Sequence, residues 1–374
     1  MRATTTGRPS FYRAVALGVF VLTSNWASAQ TPSPALLVLE KSDRSMAIVD
    51  PASFKIVAQV PVGEDPHEIV VSPDGNVAYI SNYGGTDSNL DTISVADLVA
   101  QKPLAPIRLG ALRSPHGLAF AGGKLYFTVE TNKAFGRYDP ATRTVDWILG
   151  TGQDRTHMIN VSERLDRIVT SNVNSGTISI IEQVMPSFPP QYQSPAGGPP
   201  PGAGPGGPPP RKTWEVTSVP SGRGCEGFDV SPDGKEIWAA NAQDGTVTVI
   251  DVASKKAVQT FPVSANHANR LKFTPDGKRV LISGLGGGPA GSAQAAASKG
   301  SNLTVLDAAT HKEIQQLNLG GASAGILIVA DGSRAFVAVS EKNKVAVIDL
   351  KTLSMTGEIP TGKQPDGLAW AQRK

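Results

Sequence analysis

A repeat of about 42 residues, counted with two insertions set aside, runs through the chain and constrains its fold more than any other feature. Segments beginning at Pro66, Pro115, Thr156, Gly224, Ala268 and Ser323 open with a short apolar run, turn, enter a second run and reach a third of the "TVTVID" type; a segment at Pro365 supplies the opening run alone. The turn is spelled Ser72-Pro73-Asp74-Gly75, Ser231-Pro232-Asp233-Gly234 and Thr274-Pro275-Asp276-Gly277. Proline presets φ, the aspartate accepts from backbone two residues on, and the glycine is free to take φ above zero, so these residues make hairpins. On either side, β-branched and apolar residues alternate with polar ones, the period of strands rather than helices. Such a repeat predicts an all-β chain, a seven-bladed β-propeller of four-stranded antiparallel blades.

The count closes only if the two ends combine. "PDGLAWAQ" supplies an innermost strand with no followers, and "ALLVLEKSDRSMAIVDPASFKIVAQVPVG" supplies three outer strands with no predecessor. Joined, the N-terminal strands and the C-terminal strand complete one blade and remove the exposed edges of a linear stack. Motifs such as "VSPDGKEIWAANAQDGTVTVIDVASKKAVQTFPV" resemble the YVTN family of β-propeller repeats, over residues 35–372. The resemblance implies the propeller fold and little about chemistry, because ligand binders, surface proteins, nucleic-acid binders and a few enzymes are built from such repeats. The repeats starting near Pro115, Thr156 and Ser323 lack the full SPDG turn.

Residues 1–29 are expected to be a signal peptide. Arg2, Arg8 and Arg13 precede or bracket the start of the apolar stretch Ala14–Leu22, and Ala27-Ser28-Ala29 is a cleavage signal of the A-x-A type. This predicts a periplasmic or secreted protein whose residues 30–374 form a single propeller domain, with no transmembrane segment in the mature chain. Removing the leader takes away three of the 35 basic residues and none of the 32 acidic ones, leaving 32 of each. With no net charge and few aromatic residues, the mature chain is not expected to take nucleic acid as a partner.

In a four-stranded blade the start of the inner strand and the end of the second strand share one face of the disc, here called the top. The aligned inner-strand starts are His67, His116, His157, Glu226, Asn269, Ala324 and Asp366; the second-strand ends are Glu40, Asn82, Glu130, Asn172, Asn241, Gly284 and Ser340. Equivalent repeat positions point alike, so the first set should ring the mouth of the central channel. Three histidines on consecutive blades, followed by a glutamate, suit a divalent metal ion (zinc, copper, iron or magnesium), and three protein ligands leave a position open. His67, His116, His157 and Glu226 are therefore candidate metal ligands. Glu226 and His157 are also candidate catalytic residues, able to move a proton beside ion-bound water. Asn82, Glu130, Asn172, Asn241, Asn269, Asp366, Glu40 and Tyr83 are candidate ligand contacts, Tyr83 by stacking. A structural alternative stands beside this: the same side chains could cap backbone groups or hold channel water. Cys225, the one cysteine of the chain, is either a nucleophile beside Glu226 or an inert packed thiol.

Two insertions interrupt the repeat. The Pro/Gly-rich stretch 185–212 falls between the third and fourth strands of the His157 blade, on the bottom face, and its composition predicts a disordered loop available to a protein partner. The small-residue stretch 285–301 falls on the top face over the mouth, where it could act as a lid. The function expected is an exported propeller that binds a small ligand or metal ion at the mouth. Two alternatives remain: a metal-dependent lyase or lactonase-type enzyme at the same site, and a periplasmic scaffold using the disc faces or the Pro/Gly loop. Propeller lactonases and streptogramin lyases are similar in architecture, although their motifs are not evident in this sequence.

Overall fold

Seven four-stranded antiparallel sheets form the protein. The structure, a computed structural model, describes residues 30–85, 90–185, 212–286 and 303–374, together with residues 1 and 3. The expected leader, residues 186–211 of the Pro/Gly stretch and residues 287–301 of the top-face stretch lie outside the described residues. Six blades, numbered 2 to 7, run from inner to outer strand in chain order, starting at Pro66–Val71, Pro115–Ala121, Thr156–Val161, Cys225–Val230, Ala268–Phe273 and Ser323–Ile328. Blade 1 closes the ring as expected: Pro365–Ala371 pairs with Ala35–Glu40, with Leu37 opposite Ala369.

Burial across a blade explains its sequence. The second and third strands, such as Val345-Ala346-Val347-Ile348 in blade 7, are apolar runs fully buried between neighbouring blades, whereas outer strands such as Lys256–Pro262 are mostly exposed. The core is consequently a series of clusters between blades rather than one centre. Leu37, Leu39, Met46 and Ile48 of blade 1 pack on Ile69, Ala78 and Ile80 of blade 2, and Leu36, Val38, Ala47 and Val49 pack on Phe336, Val345 and Val347 of blade 7. Each fully buried Leu or Ile contributes about 1.5–3 kcal/mol.

The bottom turns form as their spelling predicts. In blade 2, Gly75 N–H donates to Ser72 O at 2.8 Å and Asp74 Oδ1 accepts from Ser72 Oγ at 2.5 Å, with Gly75 at φ 75°. The same bonds recur at Asp233 and Asp276. Blade 4 makes this turn without the motif: Leu165 N–H donates to Ser162 O at 2.9 Å, and Leu165 takes φ 58° where the other turns place glycine.

At the top, three local features aim side chains into the channel. The residue two before the mouth position adopts a left-handed conformation in six blades, at Asp65, Ser114, Arg155, Gly224, His267 and Gln364. Each inner strand then slips its register within its first turns, as between Pro66 and Ile69 or Thr156 and Ile159. The residue after the mouth position is glycine in four blades because the next inner strand leaves no room for a side chain. A Cβ on Gly117 would stand 2.5 Å from His157 O, and one on Gly367 2.4 Å from His67 O.

Candidate metal centre and ligand pocket

All seven inner-strand starts, His67, His116, His157, Glu226, Asn269, Ala324 and Asp366, line one cavity of about 270 Å³ at the top of the channel. Lys41, Arg155, Arg270, Leu285, Ser340 and Gln364 complete its wall. The channel is crossed below it. Glu68 and Arg270 stand where four other blades carry glycine and one carries Met158, and Arg270 Nη2 meets Glu68 Oε1 at 2.7 Å across the ring. Arg270 is buried, and the carboxylates of Glu68, Asp366 and Glu226 hold it as the guanidinium against that burial.

His157 is the centre of the most connected group. Its Nδ1 bonds Glu130 Oε1, and its Nε2 lies 3.3 Å from Glu226 Oε2, close enough for attraction but without hydrogen-bond alignment. Glu130 also accepts from Tyr83 Oη at 2.5 Å and from Arg155 Nε at 3.2 Å. Glu226 accepts from Asn269 Nδ2 at 3.0 Å and has Arg155 and Arg270 at 3.7 and 3.8 Å. Burial disfavours the imidazolium of His157, but the two carboxylates outweigh it and raise the pKa. Burial likewise raises the carboxyl pKa of Glu226 and Glu130, and His157 with the neighbouring cations overturns this, leaving both lowered.

His116 lies face to face with His157, ring centroids 3.7 Å apart at 31°, and is 1% exposed. Its pKa falls well below the ordinary 6.5, first through burial and then through His157, His67 and the arginines. Among the described residues, His116 Nδ1 and His157 Nε2 are buried ring nitrogens without a hydrogen-bond partner. His116, Glu130 and His157 also form the one group of three whose ligand atoms lie within 4.8 Å of one another among the described residues.

His67 is placed differently, although its position in the repeat is the same. Its Nδ1 bonds Asp65 O at 3.1 Å, and its Nε2 faces the ammonium of Lys41 at 2.9 Å. Burial and Lys41 lower its pKa, against opposing effects of Asp366 and Asp65. His67 lies outside the 4.8 Å group, as does Glu226.

The second-strand ends divide. Glu130 joins the cavity network, whereas Asn82, Asn172 and Asn241 are buried and bonded to third-strand hydroxyls: Asn82 to Thr92 and Ser94, Asn172 to Thr177 and Ser179, and Asn241 to Thr246 and Thr248. Glu40 is likewise occupied by Ser45, Gln59 and the Gly362 amide. None of these four lines the cavity. Tyr83 packs edge-on to His116, ring centroids 5.4 Å apart at 87°. The Cys225 thiol is buried, and burial pushes its pKa up to about 12, which fits a packed thiol rather than a nucleophile. Lys41, Arg155, Arg270 and Glu68 were not singled out from the sequence. Glu68 and Arg270 did carry a signal, charged residues where four of the other five blades have glycine and the fifth has Met158.

No protein-family model matches this chain, and no curated protein matches it in sequence. Solved structures do match in shape. A putative 6-phosphogluconolactonase from Bacteroides fragilis superposes with TM-score 0.66 at 14% identity, covering 90% of this chain and 98% of its own. A protein of unknown function from Desulfotomaculum acetoxidans gives 0.65 at 11% identity, covering 91% and 100%. The dihydro-heme d1 dehydrogenase NirN, in complex with DHE, gives 0.56 at 16% identity, covering 90% and 74%. These likenesses show the fold alone. Among the described residues, no helix is long and apolar enough to cross a membrane.

Proposed function

We propose that this chain is an exported, YVTN-type propeller whose top-face mouth binds a divalent transition-metal ion through His116 and His157, with Glu226, beside His157 but outside the 4.8 Å group, moving in as the third ligand and one position left open to a small ligand. The observation that carries the reading is a pair of buried imidazole nitrogens, His116 Nδ1 with no hydrogen-bond partner and His157 Nε2 with only the unaligned Glu226 carboxylate at 3.3 Å. A buried polar atom left unpaired costs about 1–3 kcal/mol, so His116 Nδ1 calls for a partner that the surrounding side chains do not supply. The 3.3 Å between His157 Nε2 and Glu226 Oε2 fits two ligands of one tetrahedral ion, for which bonds of about 2.0–2.1 Å place ligand atoms about 3.3–3.4 Å apart. Glu130 then has the outer role usual for metal-bound histidine, fixing the ring through its other nitrogen.

Charge supports the same reading. The connected network contains the cations Lys41, Arg155 and Arg270 and the carboxylates Asp65, Asp366, Glu68, Glu130 and Glu226. With neutral imidazoles it is two charges negative, which one divalent ion offsets. Two nitrogens and one oxygen favour zinc, iron or copper over magnesium.

The test is elemental analysis of the purified mature protein after loading with zinc. One equivalent is expected, lost in His116→Ala; no bound zinc, or retention unchanged by that substitution, removes the proposal. The lactonase-type alternative has support only from the fold of the Bacteroides fragilis neighbour, and no observation at the site favours it.

A further inference from the structure

Resting on the metal reading above, we propose that the ligand is a small carboxylate: one of its oxygens takes the open metal position, and a carboxylate group pairs with Lys41, which His67 holds in place. This assigns the third histidine a positioning role opposite the ion.

The geometry of Lys41 carries the argument. His67 Nδ1 donates to Asp65 O at 3.1 Å, so its Nε2 can only accept, and it accepts from Lys41 Nζ at 2.9 Å. That single bond fixes the direction of the ammonium. Asp65 and Asp366 stand further off, at 3.3 and 3.4 Å, as charge partners without hydrogen-bond alignment. An ammonium has three donors; His67 takes one, and because the contacts to Asp65 and Asp366 are long, a ligand oxygen at the cavity wall can compete for the other two. Its charge also opposes a metal ion at His67 Nε2, which separates this imidazole from the other two.

The wall itself has a sign. Three cations line the cavity, Lys41, Arg155 and Arg270, against two carboxylates, Glu226 and Asp366. Asp65, Glu68 and Glu130 stand behind the wall and are not part of it. With the ion in place the connected network is neutral, and the wall keeps three cations against Asp366 once Glu226 is engaged, a lining that an oxyanion matches. The cavity of about 270 Å³ equals about nine waters' share of liquid volume, which suits a molecule of the size of a four-carbon dicarboxylate.

Isothermal titration of the zinc-loaded mature chain with succinate, succinamide and 1,4-diaminobutane tests the proposal. Succinate is expected to bind at least about tenfold more tightly than the other two, since a hydrogen bond to a charged group is worth that much. Lys41→Met should weaken succinate by a similar factor with zinc content unchanged. So should His67→Phe, which keeps the ring and removes the acceptor. Lys41→Gln replaces Lys41→Met if melting shows that the latter unfolds. Equal or tighter binding of succinamide or diaminobutane overturns the ligand class while leaving the metal reading intact, and so does succinate binding that ignores Lys41. If the protein holds no zinc, the metal reading falls; succinate is then titrated into the same metal-free protein. Binding lost in Lys41→Met there supports the anion-recognising wall, and no binding overturns it.

Discussion

His157 and His67 hold the same repeat position two blades apart, yet one faces carboxylates at both nitrogens and the other faces a carbonyl and an ammonium. The difference comes from the preceding blade. Glu130 follows the second strand of blade 3 and meets His157; Lys41 follows the second strand of blade 1 and meets His67; Tyr83 follows that of blade 2 and meets His116. The repeat thus fixes where an imidazole points, and the neighbour's strand end fixes what it can do.

The sharpest way to break this contrast is to remove each histidine in turn. His157→Ala should lower zinc retention by more than the factor of about 10–100 typical of outer-shell losses, whereas His67→Ala should leave it nearly unchanged, both read by elemental analysis. Equal loss in the two variants would make the mouth one three-histidine site. Next in size is the channel crossing below it. Arg270→Met leaves the half-buried Glu68 without its partner and should cost about 1–3 kcal/mol in denaturant unfolding, with Glu68→Gln in the same chain restoring much of that. Glu130→Gln should weaken zinc by about tenfold or somewhat more without removing a direct ligand.

A smaller effect lies in pH. In the metal-free protein, His116 and His67 have pKa values below the ordinary 6.5 and His157 has one above it. Below 6.5 the unfolded chain therefore binds more protons than the folded one, and these histidines lower stability as pH falls; above 6.5, His157 loses its contribution as pH rises through its raised value. Their combined contribution peaks above pH 6.5 and below the raised value of His157, which melting across pH 5.5 to about 8 would reveal, and His116→Phe should flatten the acid side. Smallest of all is Asp233→Ala in a bottom turn. That carboxylate is exposed and bonded within its own hairpin, so its loss should leave zinc binding untouched and shift the melting temperature only slightly.

The bottom turns were legible in the sequence because Pro-Asp-Gly acts locally: every bond it makes lies within a few residues, as at Asp74 and Asp276. The ring of mouth residues was legible too, since equivalent positions in a closed repeat must converge. The roles of Asn82, Asn172 and Asn241 were harder to read. A polar residue at a strand end serves a hydroxyl on the next strand as readily as a cavity, and here the partners are Thr92, Thr177 and Thr246. Arg155 gave no signal, because its left-handed position is shared by residues as different as Asp65 and Ser114.

The sequence by itself therefore determined the blades, their number, the closing strand and the identity of the groups around the mouth, all of which follow from periodicity and local turn chemistry. Only the tertiary structure decided which imidazole faces Glu226, which faces Lys41, and that Glu68 and Arg270 meet across the channel. Those contacts join residues far apart in the chain. Their energies depend on distance and burial within the closed ring, which no single repeat contains.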